Sequence, residues 1–361
     1  MRVTFPAMQG TIGQRTYYST LMPLSTVPKM FTFTEWAEFL PEDREQRVLN
    51  SKRVPDIARY IVENEDGYLF SSITASFRGG IRFIPSDVSE NIGLIEMDMR
   101  EANFVINDGQ HRAEAIKLAM QMNPALGEET VSVLLFQYEN RERVQQMFSD
   151  LNRFVKKTSK SLDILYDKRD VLANVTNDIA DKVPAFKGLV EKDYASLPAG
   201  SKNLFSLAAL YDANEELLRD KKNNDDYTRN ELTSIAVDFW VSVAKHIPDW
   251  ARVKNGQMLA RELRQESISS HSVVLRAMGA AGAELMEEDP TGWKGRLEAL
   301  AAIDWSKKNR DWENVNMVAN SVVSNRQARH ATKAYLKQRL GLSLTEAELR
   351  AITPPAPAEA V

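Results

Sequence analysis

The densest group of chemically versatile side chains in the sequence occupies five consecutive positions: Asp108, Gly109, Gln110, His111 and Arg112. They follow a strand-like run, 103–107, and precede a helix-like run, 113–122. Glycine at such a junction lets the backbone turn sharply and approach a ligand. The N–H groups of a first helical turn and a nearby arginine suit phosphate. The segment therefore predicts an anion-binding loop. The alternative is purely structural, with the aspartate capping the helix and the glycine making the turn.

A second candidate is the acid-free segment 152–161, whose cations are Arg153, Lys156, Lys157 and Lys160. Spacings of three and four residues predict that these four side chains lie largely on one face of a helix. Such a face suits the phosphates of a nucleotide or of DNA. An ordinary solvated basic helix surface is the equally open alternative.

The third candidate lies in a helix predicted over 315–340, where the following side chains are basic or imidazole: Arg326, Arg329, His330, Lys333, Lys337 and Arg339. No acid interrupts residues 321–340. Several of these side chains fall on one helical stripe, which makes the segment the best candidate for DNA contact. A solvated helix face again remains open. A capping box, Thr345 with Glu348, predicts a short helix afterwards.

Composition narrows the function classes. With 46 basic and 50 acidic residues the net charge is −4, which argues against indiscriminate coating of nucleic acid but leaves a local basic patch free to bind DNA. The absence of cysteine excludes disulfides, iron–sulfur clusters and thiolate sites. The four histidines lack metal-ligand spacing, so neither zinc nor another metal site is predicted. Without a long apolar run or signal-like N-terminus, we expect a cytoplasmic protein with no membrane contact.

The pattern of elements predicts an α+β protein. Residues 1–165 alternate strand-like and helical runs, with a hairpin expected across 67–85 around two glycines and a buried strand at 131–138. Residues 166–350 read as almost wholly helical. The Pro- and Ala-rich tail, 351–361, is expected to be disordered.

The five residues 108–112 resemble the signature of the DGQHR-domain proteins, which are related to the ParB/sulfiredoxin-like superfamily. The surrounding chain resembles the DndB family of bacterial DNA phosphorothioation systems, through the segments 53–61, 147–153, 156–167 and 305–313. The resemblance implies an N-terminal ParB/sulfiredoxin-like α/β domain followed by a mostly helical domain.

The function that this resemblance implies is transcriptional autoregulation. The protein would bind double-stranded DNA at its own promoter and repress a phosphorothioate-modification gene cluster, with ATP, and Mg²⁺ beside it, modulating the binding. A homodimer and contacts with phosphorothioation proteins are further expectations. The nucleotide contacts would be Asp108, Gly109, Gln110, His111, Arg112, Arg153 and Lys156. The DNA contacts would be Lys157, Lys160, Arg326, Arg329, Lys333 and Lys337.

Two other functions remain open. In ParB-like proteins a Gly-Glu-Arg-Arg turn contacts nucleotide phosphates, whereas here Gln110 replaces the acid and His111 the first arginine, which leaves phosphate binding open and weakens the case for hydrolysis. A weak ATPase or a ParB-like DNA-nicking enzyme would use Asp108, Gln110 and His111 as catalytic residues. Since Gln110 also stands where sulfiredoxins carry their cysteine, sulfur transfer is excluded. The third reading is a non-catalytic module that assembles with modification proteins.

Overall fold

The computed structural model describes residues 2–31, 53–153, 158–319 and 321–353. The chain divides into two compact units, residues 1–156 and 157–361. The first contains a mixed seven-stranded sheet and the second is mainly helical, which confirms the predicted α+β class. None of the described helices is both long enough and apolar enough to cross a membrane.

The sheet of the first unit is built from strands β1 (Arg2–Ile12), β2 (Arg15–Pro23), β3 (Ile73–Arg78), β4 (Ile81–Pro85), β5 (Ile92–Asp98), β6 (Asn103–Asp108) and β7 (Thr130–Gln137). Their order across the sheet is β4-β5-β1-β2-β7-β3-β6. All neighbouring pairs are antiparallel except β3 with β7, which is parallel. The predicted strand at 131–138 is confirmed as β7.

The predicted hairpin around Gly79 and Gly80 is wrong. Both glycines have positive φ and turn the chain, but β3 and β4 do not pair with each other. Residues 73–77 of β3 are all buried, so this strand needs a neighbour on both edges and lies between β7 and β6. The half-exposed strand β4 pairs with β5 instead.

The helices among the described residues of the first unit are α1 (Val27–Met30), α2 (Val54–Glu63), α3 (Gln110–Met122) and α4 (Arg141–Arg153). Helices α2 and α3 pack together and share one core with the inward face of the sheet, where Ile61, Ile73 and Ile116 are fully buried. This core holds α3 at the end of β6, so burial of apolar side chains fixes the start of the predicted loop.

The helices of the second unit are α5 (Lys160–Tyr166), α6 (Val171–Lys182), α7 (Leu207–Leu217), α8 (Arg229–Lys245), α9 (Pro248–Lys254), α10 (Ala260–Glu266), α11 (Ser272–Glu288), α12 (Trp293–Arg296), α13 (Arg326–Arg339) and α14 (Glu346–Ile352). Two short strand pairs accompany them, β8 (Val190–Glu191) with β9 (Phe205–Ser206) and β10 (Met317–Val318) with β11 (Ser321–Val322).

Two sequence expectations need correction here. The helix predicted over 315–340 begins only at Arg326, because Asn325 caps it by accepting a hydrogen bond from the N–H of Ala328. Residues 351 and 352, expected in the disordered tail, instead belong to α14, which continues to Ile352. Residues 354–361 of that tail lie outside the described residues.

The core of the second unit forms around α11, which packs between α7 and α13. A Cβ added to Gly279 would lie 2.1 Å from the carbonyl oxygen of Ala213 on α7, so only glycine permits this close approach. Trp240, Trp250 and Trp312 are fully buried in the same core, as expected for helix-packing aromatics.

Candidate functional site

The loop predicted from residues 108–112 joins β6 to α3. Gly109 has a φ of 107°, and a Cβ at this position would lie 3.3 Å from the Cα of Ile73. This conformation is one that side chains other than glycine rarely adopt, and the crowding leaves little room for a Cβ. Gly109 itself is the N-cap of α3, and no side chain caps the helix. The structural alternative in which Asp108 caps α3 is therefore wrong.

Arg112 is tied to its own unit by hydrogen bonds. Its Nη1 donates to the carbonyl oxygen and the Oγ of Ser71, the latter at 2.6 Å, and to the carbonyl oxygen of Ser72 at 2.8 Å. Its Nη2 donates to Oδ2 of Asp108 at 2.6 Å, and the side chain is 15 % exposed. The guanidinium thus positions the loop against the segment that precedes β3. These bonds use Nη1 and one bond from Nη2, so only the remaining N–H groups of the guanidinium are left for a phosphate.

The other polar side chains of the loop are half-buried. Oε1 of Gln110 is inaccessible to solvent and has no hydrogen-bond partner among the described residues. Asn107, fully buried just before the loop, donates to Oγ of Ser76 at 2.9 Å. His111 is half-buried on the first turn of α3, which carries no acidic residue. An unpaired buried acceptor is costly, so a donor group that reached Oε1 of Gln110 would relieve that cost.

The described part of the chain contains no group of three or more histidine, cysteine, aspartate or glutamate side chains that could hold a metal ion.

The basic segment 152–161 does not form one continuous helix, contrary to prediction. Helix α4 ends at Arg153, and α5 begins at Lys160 after Ser159, whose side chain caps it by accepting from the N–H of Leu162. A new cap between the two ends separates their cations. Lys156 and Lys157 lie outside the described residues.

The two described cations of this segment already interact with other groups. Lys160 forms an ion pair with Asp212, and its amino group lies 5.1 Å from the centre of the Tyr211 ring. Arg153 is the last residue of α4, a helix that packs against β6 through Val144 and Val105. Lys160 is thus partly neutralised on its own unit, which weakens it as a contact for DNA phosphate.

The stripe of cations on α13 is present, but its two ends differ. Near the N-terminus, Arg326 and His330 are exposed and Arg329 is half-buried. No carboxylate of the described residues lies within 4.0 Å of the guanidinium nitrogens of Arg326 or Arg329. At the other end Lys337 is only 5 % exposed, which weakens its predicted role as a DNA contact.

Lys337 is buried in a network of two lysines and two glutamates that joins α11, α13 and α14. Its Nζ lies 2.8 Å from Oε2 of Glu284 and 2.7 Å from Oε2 of Glu348. Lys333 lies 2.6 Å from Oε1 of Glu284 and 3.5 Å from Oε1 of Glu348. Lys333 is therefore also neutralised, which weakens its predicted role as a phosphate contact.

The network changes the pKa of its members. Burial by itself would raise the pKa of Glu348, but the hydrogen bond from Lys337, the bond from the N–H of Thr345 and the lysine charges lower it to about 2. The pKa of Glu284 is lowered in the same way, since bonds from Lys333 and Lys337 outweigh burial. Conversely, the pKa of Lys337 is raised, because its two carboxylates outweigh burial. Glu284, Glu348 and Lys337 are therefore held in their charged forms at neutral pH.

The end of α13 and the start of α14 follow the predicted pattern. Gly341 has a φ of 71° and donates its N–H to the carbonyl oxygen of Gln338. The N–H of Leu342 donates to the carbonyl oxygen of Lys337, and the two bonds together form a Schellman motif. The predicted capping box of Thr345 and Glu348 is confirmed. Glu348 therefore both caps α14 and forms an ion pair with Lys337.

Sequence reasoning missed the acidic partners of α13. Glu284 lies on α11, far from Lys333 and Lys337 along the chain, and nothing local links them. The available signal was charge complementarity, because the acids of 284–289 contrast with the acid-free stretch 321–340. Ser71, which holds Arg112, had no sequence signal at all.

A family model described as DndB, DNA-sulfur modification-associated, matches residues 5–343 of this chain. No curated protein and no solved structure matches the chain significantly.

Proposed function

Because the chain belongs to the DndB family of proteins associated with DNA-sulfur modification, we propose that it is a DNA-binding repressor of a phosphorothioate-modification gene cluster, modulated by ATP. The observation that carries the DNA-binding part is the uncompensated positive charge at the N-terminal half of α13.

Arg326 and Arg329 are the cations on which this proposal depends. They lie one helical turn apart, and neither is within ion-pairing distance of a carboxylate among the described residues. Guanidinium groups bind phosphate oxygens in a bidentate manner and remain charged at every relevant pH. Lys333 and Lys337, which carboxylates already neutralise, are left out of the proposed DNA contact. Lys157 remains proposed on sequence grounds alone.

The test measures binding of the full chain to the DNA upstream of its own gene, against a scrambled duplex of equal length, by fluorescence anisotropy at two salt concentrations. We expect preference for the upstream DNA and weaker binding by the double variant Arg326→Gln/Arg329→Gln. Loss of two phosphate contacts should make the negative slope of log K against log salt shallower by about 2.

The matched control is Arg252→Gln/Arg350→Gln, which removes the same charge from two exposed arginines, each paired with an acid on its own helix. This control should bind DNA as the unmodified chain does. If both double variants weakened DNA binding equally, the contribution of α13 would be one of overall charge and not of a specific contact. Equal binding of upstream and scrambled DNA would overturn the repressor proposal.

We place ATP at the loop of residues 108–112. The positive φ of Gly109 turns the backbone sharply at the start of α3, and the acid-free first turn of α3 leaves the positive end of its helix dipole uncompensated within that turn. The unpartnered Oε1 of Gln110 fits a hydroxyl or amino donor of a nucleoside. Arg112 takes a positioning role here, because its guanidinium holds Asp108 and Ser71.

Isothermal titration of ATP with Mg²⁺ into the full chain tests this site. Gln110→Ala should weaken ATP binding, whereas Gln146→Ala, an exposed glutamine of the same unit bonded to Asp150, should not. Arg112→Lys should weaken it indirectly and also speed amide exchange in residues 103–112, since the clamp is lost. Equal ATP affinity of the two glutamine variants would show that the nucleotide does not bind at this loop. Release of inorganic phosphate in the same samples would support hydrolysis.

A further inference from the structure

A cavity with a volume of about 360 Å³ lies in the helical unit, between α7, α11 and α13. This volume lies within the range of small-molecule sites in proteins, toward its lower end. All of its lining residues belong to the second unit, so the cavity is independent of the loop at 108–112.

The packing of α11 explains why the cavity exists. Gly279 brings α11 into direct contact with α7, as described above, and fixes the distance between these two helices. On the cavity side of α11 the lining residues include Ala277 and Ala280, whose short side chains leave the space unfilled. These two buried residues form an apolar floor.

The walls of the cavity are strongly basic. Among its described lining residues are four cationic side chains, those of Arg276, Arg326, Arg329 and Lys333, and one carboxylate, that of Glu216. This carboxylate already pairs with Arg276, whose Nε and Nη2 lie 2.9 and 2.8 Å from Oε1 of Glu216.

Two guanidiniums therefore remain for a ligand. Lys333 is held by Glu284, while Arg326 and Arg329 have no carboxylate partner among the described residues. Like charges that line a cavity repel one another, and an anion relieves that repulsion. His330 adds a polar and aromatic group on the same wall.

We propose that this cavity binds a small organic phosphate of about mononucleotide size. Its phosphate would lie on Arg326 and Arg329, which offer bidentate hydrogen bonds, and its organic part would cover Ala277 and Ala280. A DNA duplex carries its phosphates on a convex outer surface, so DNA contact alone would not fill a concave site with an apolar floor. Because the small ligand and DNA would both contact Arg326 and Arg329, each would exclude the other. Only this competition rests on the proposed function.

The direct test needs no DNA. Isothermal titration of the full chain with AMP, inorganic phosphate and adenosine should give the order AMP, then phosphate, with no binding of adenosine. Arg326→Gln/Arg329→Gln should weaken AMP binding about tenfold or more, because charge-assisted hydrogen bonds are lost. The charge-matched control Arg252→Gln/Arg350→Gln should leave AMP binding unchanged.

Two further variants distinguish this site from the alternatives. Ala280→Leu fills the cavity without changing its charge, and should weaken AMP binding while DNA binding persists. Gln110→Ala alters the loop of the first unit and should leave AMP binding intact. AMP that fails to bind, or that is lost only in Gln110→Ala, overturns the inference. Failure of the upstream DNA to bind would instead refute the proposed function, whatever AMP does.

Discussion

Replacing Lys337 by methionine removes the central cation from the buried network of α11, α13 and α14. Lys337 is 5 % exposed, and its amino group lies 2.8 Å from Glu284 and 2.7 Å from Glu348. Methionine keeps an unbranched apolar chain of similar length, so packing changes little. The variant leaves two carboxylates beside a single cation, Lys333.

The expected cost is large for one substitution. Removing one partner of a buried ion pair destabilises proteins by about 3–5 kcal/mol, because the remaining charge is buried without compensation. The lowering of the pKa of Glu348 from 4.5 to about 2 corresponds to about 3 kcal/mol, to which the capping bond from Thr345 also contributes. We therefore expect the free energy of unfolding of the helical unit to fall by about 3–5 kcal/mol at pH 7.

The pH dependence of this effect has a defined sign. A carboxylate whose pKa is lowered on folding stabilises the folded protein fully above its unfolded pKa, here 4.5, and progressively less as the pH falls toward about 2. The difference between the unmodified chain and Lys337→Met should therefore narrow as the pH falls below 4.5.

Urea unfolding followed by tryptophan fluorescence measures the effect, because five of the six tryptophans belong to the second unit. Lys294→Met is the control, since the pair of Lys294 with Asp238 is just as short, 2.6 Å, but both side chains are about half exposed. This control should lose no more than about 1 kcal/mol. The reasoning would be refuted if Lys337→Met had the same free energy of unfolding as Lys294→Met. It would also be refuted if the destabilisation by Lys337→Met were the same at every pH.

Two further predictions concern the same unit. Gly279→Ala should lower the free energy of unfolding of this unit by about 1–3 kcal/mol, because the added methyl would lie 2.1 Å from the carbonyl oxygen of Ala213. The control Gly295→Ala has open space around it and should be nearly neutral. The urea midpoints of the two variants check this prediction. Burial and the charge of Lys307 lower the pKa of His271 from 6.5 to about 4, so the unfolded chain binds a proton that the folded chain does not. Stability should fall between pH 6.5 and 4, and His271→Asn should flatten that part of the curve of melting temperature against pH.

Features that depend on a few neighbouring residues were predictable from the sequence. The turn at Gly109, the helix that follows it, the strand β7 and the capping box at Thr345 all occur where their local patterns predict them. Each is determined by backbone preference, hydrophobic period or a short hydrogen bond. The predicted hairpin failed for the opposite reason: Gly79 and Gly80 turn the chain locally, but burial of both faces of β3 selects its partners.

The sequence by itself determined the mixed α+β class, the family and the segments that carry unusual charge. Only the tertiary structure decided which of those charges are available. Arg112 is held by Ser71, 41 residues away, and Lys337 is buried against Glu284, while Arg326 and Arg329 on the same helix line an open cavity. Periodicity places cations on one face of a helix, but packing of distant helices determines which part of that face meets a carboxylate and which part meets solvent or a ligand.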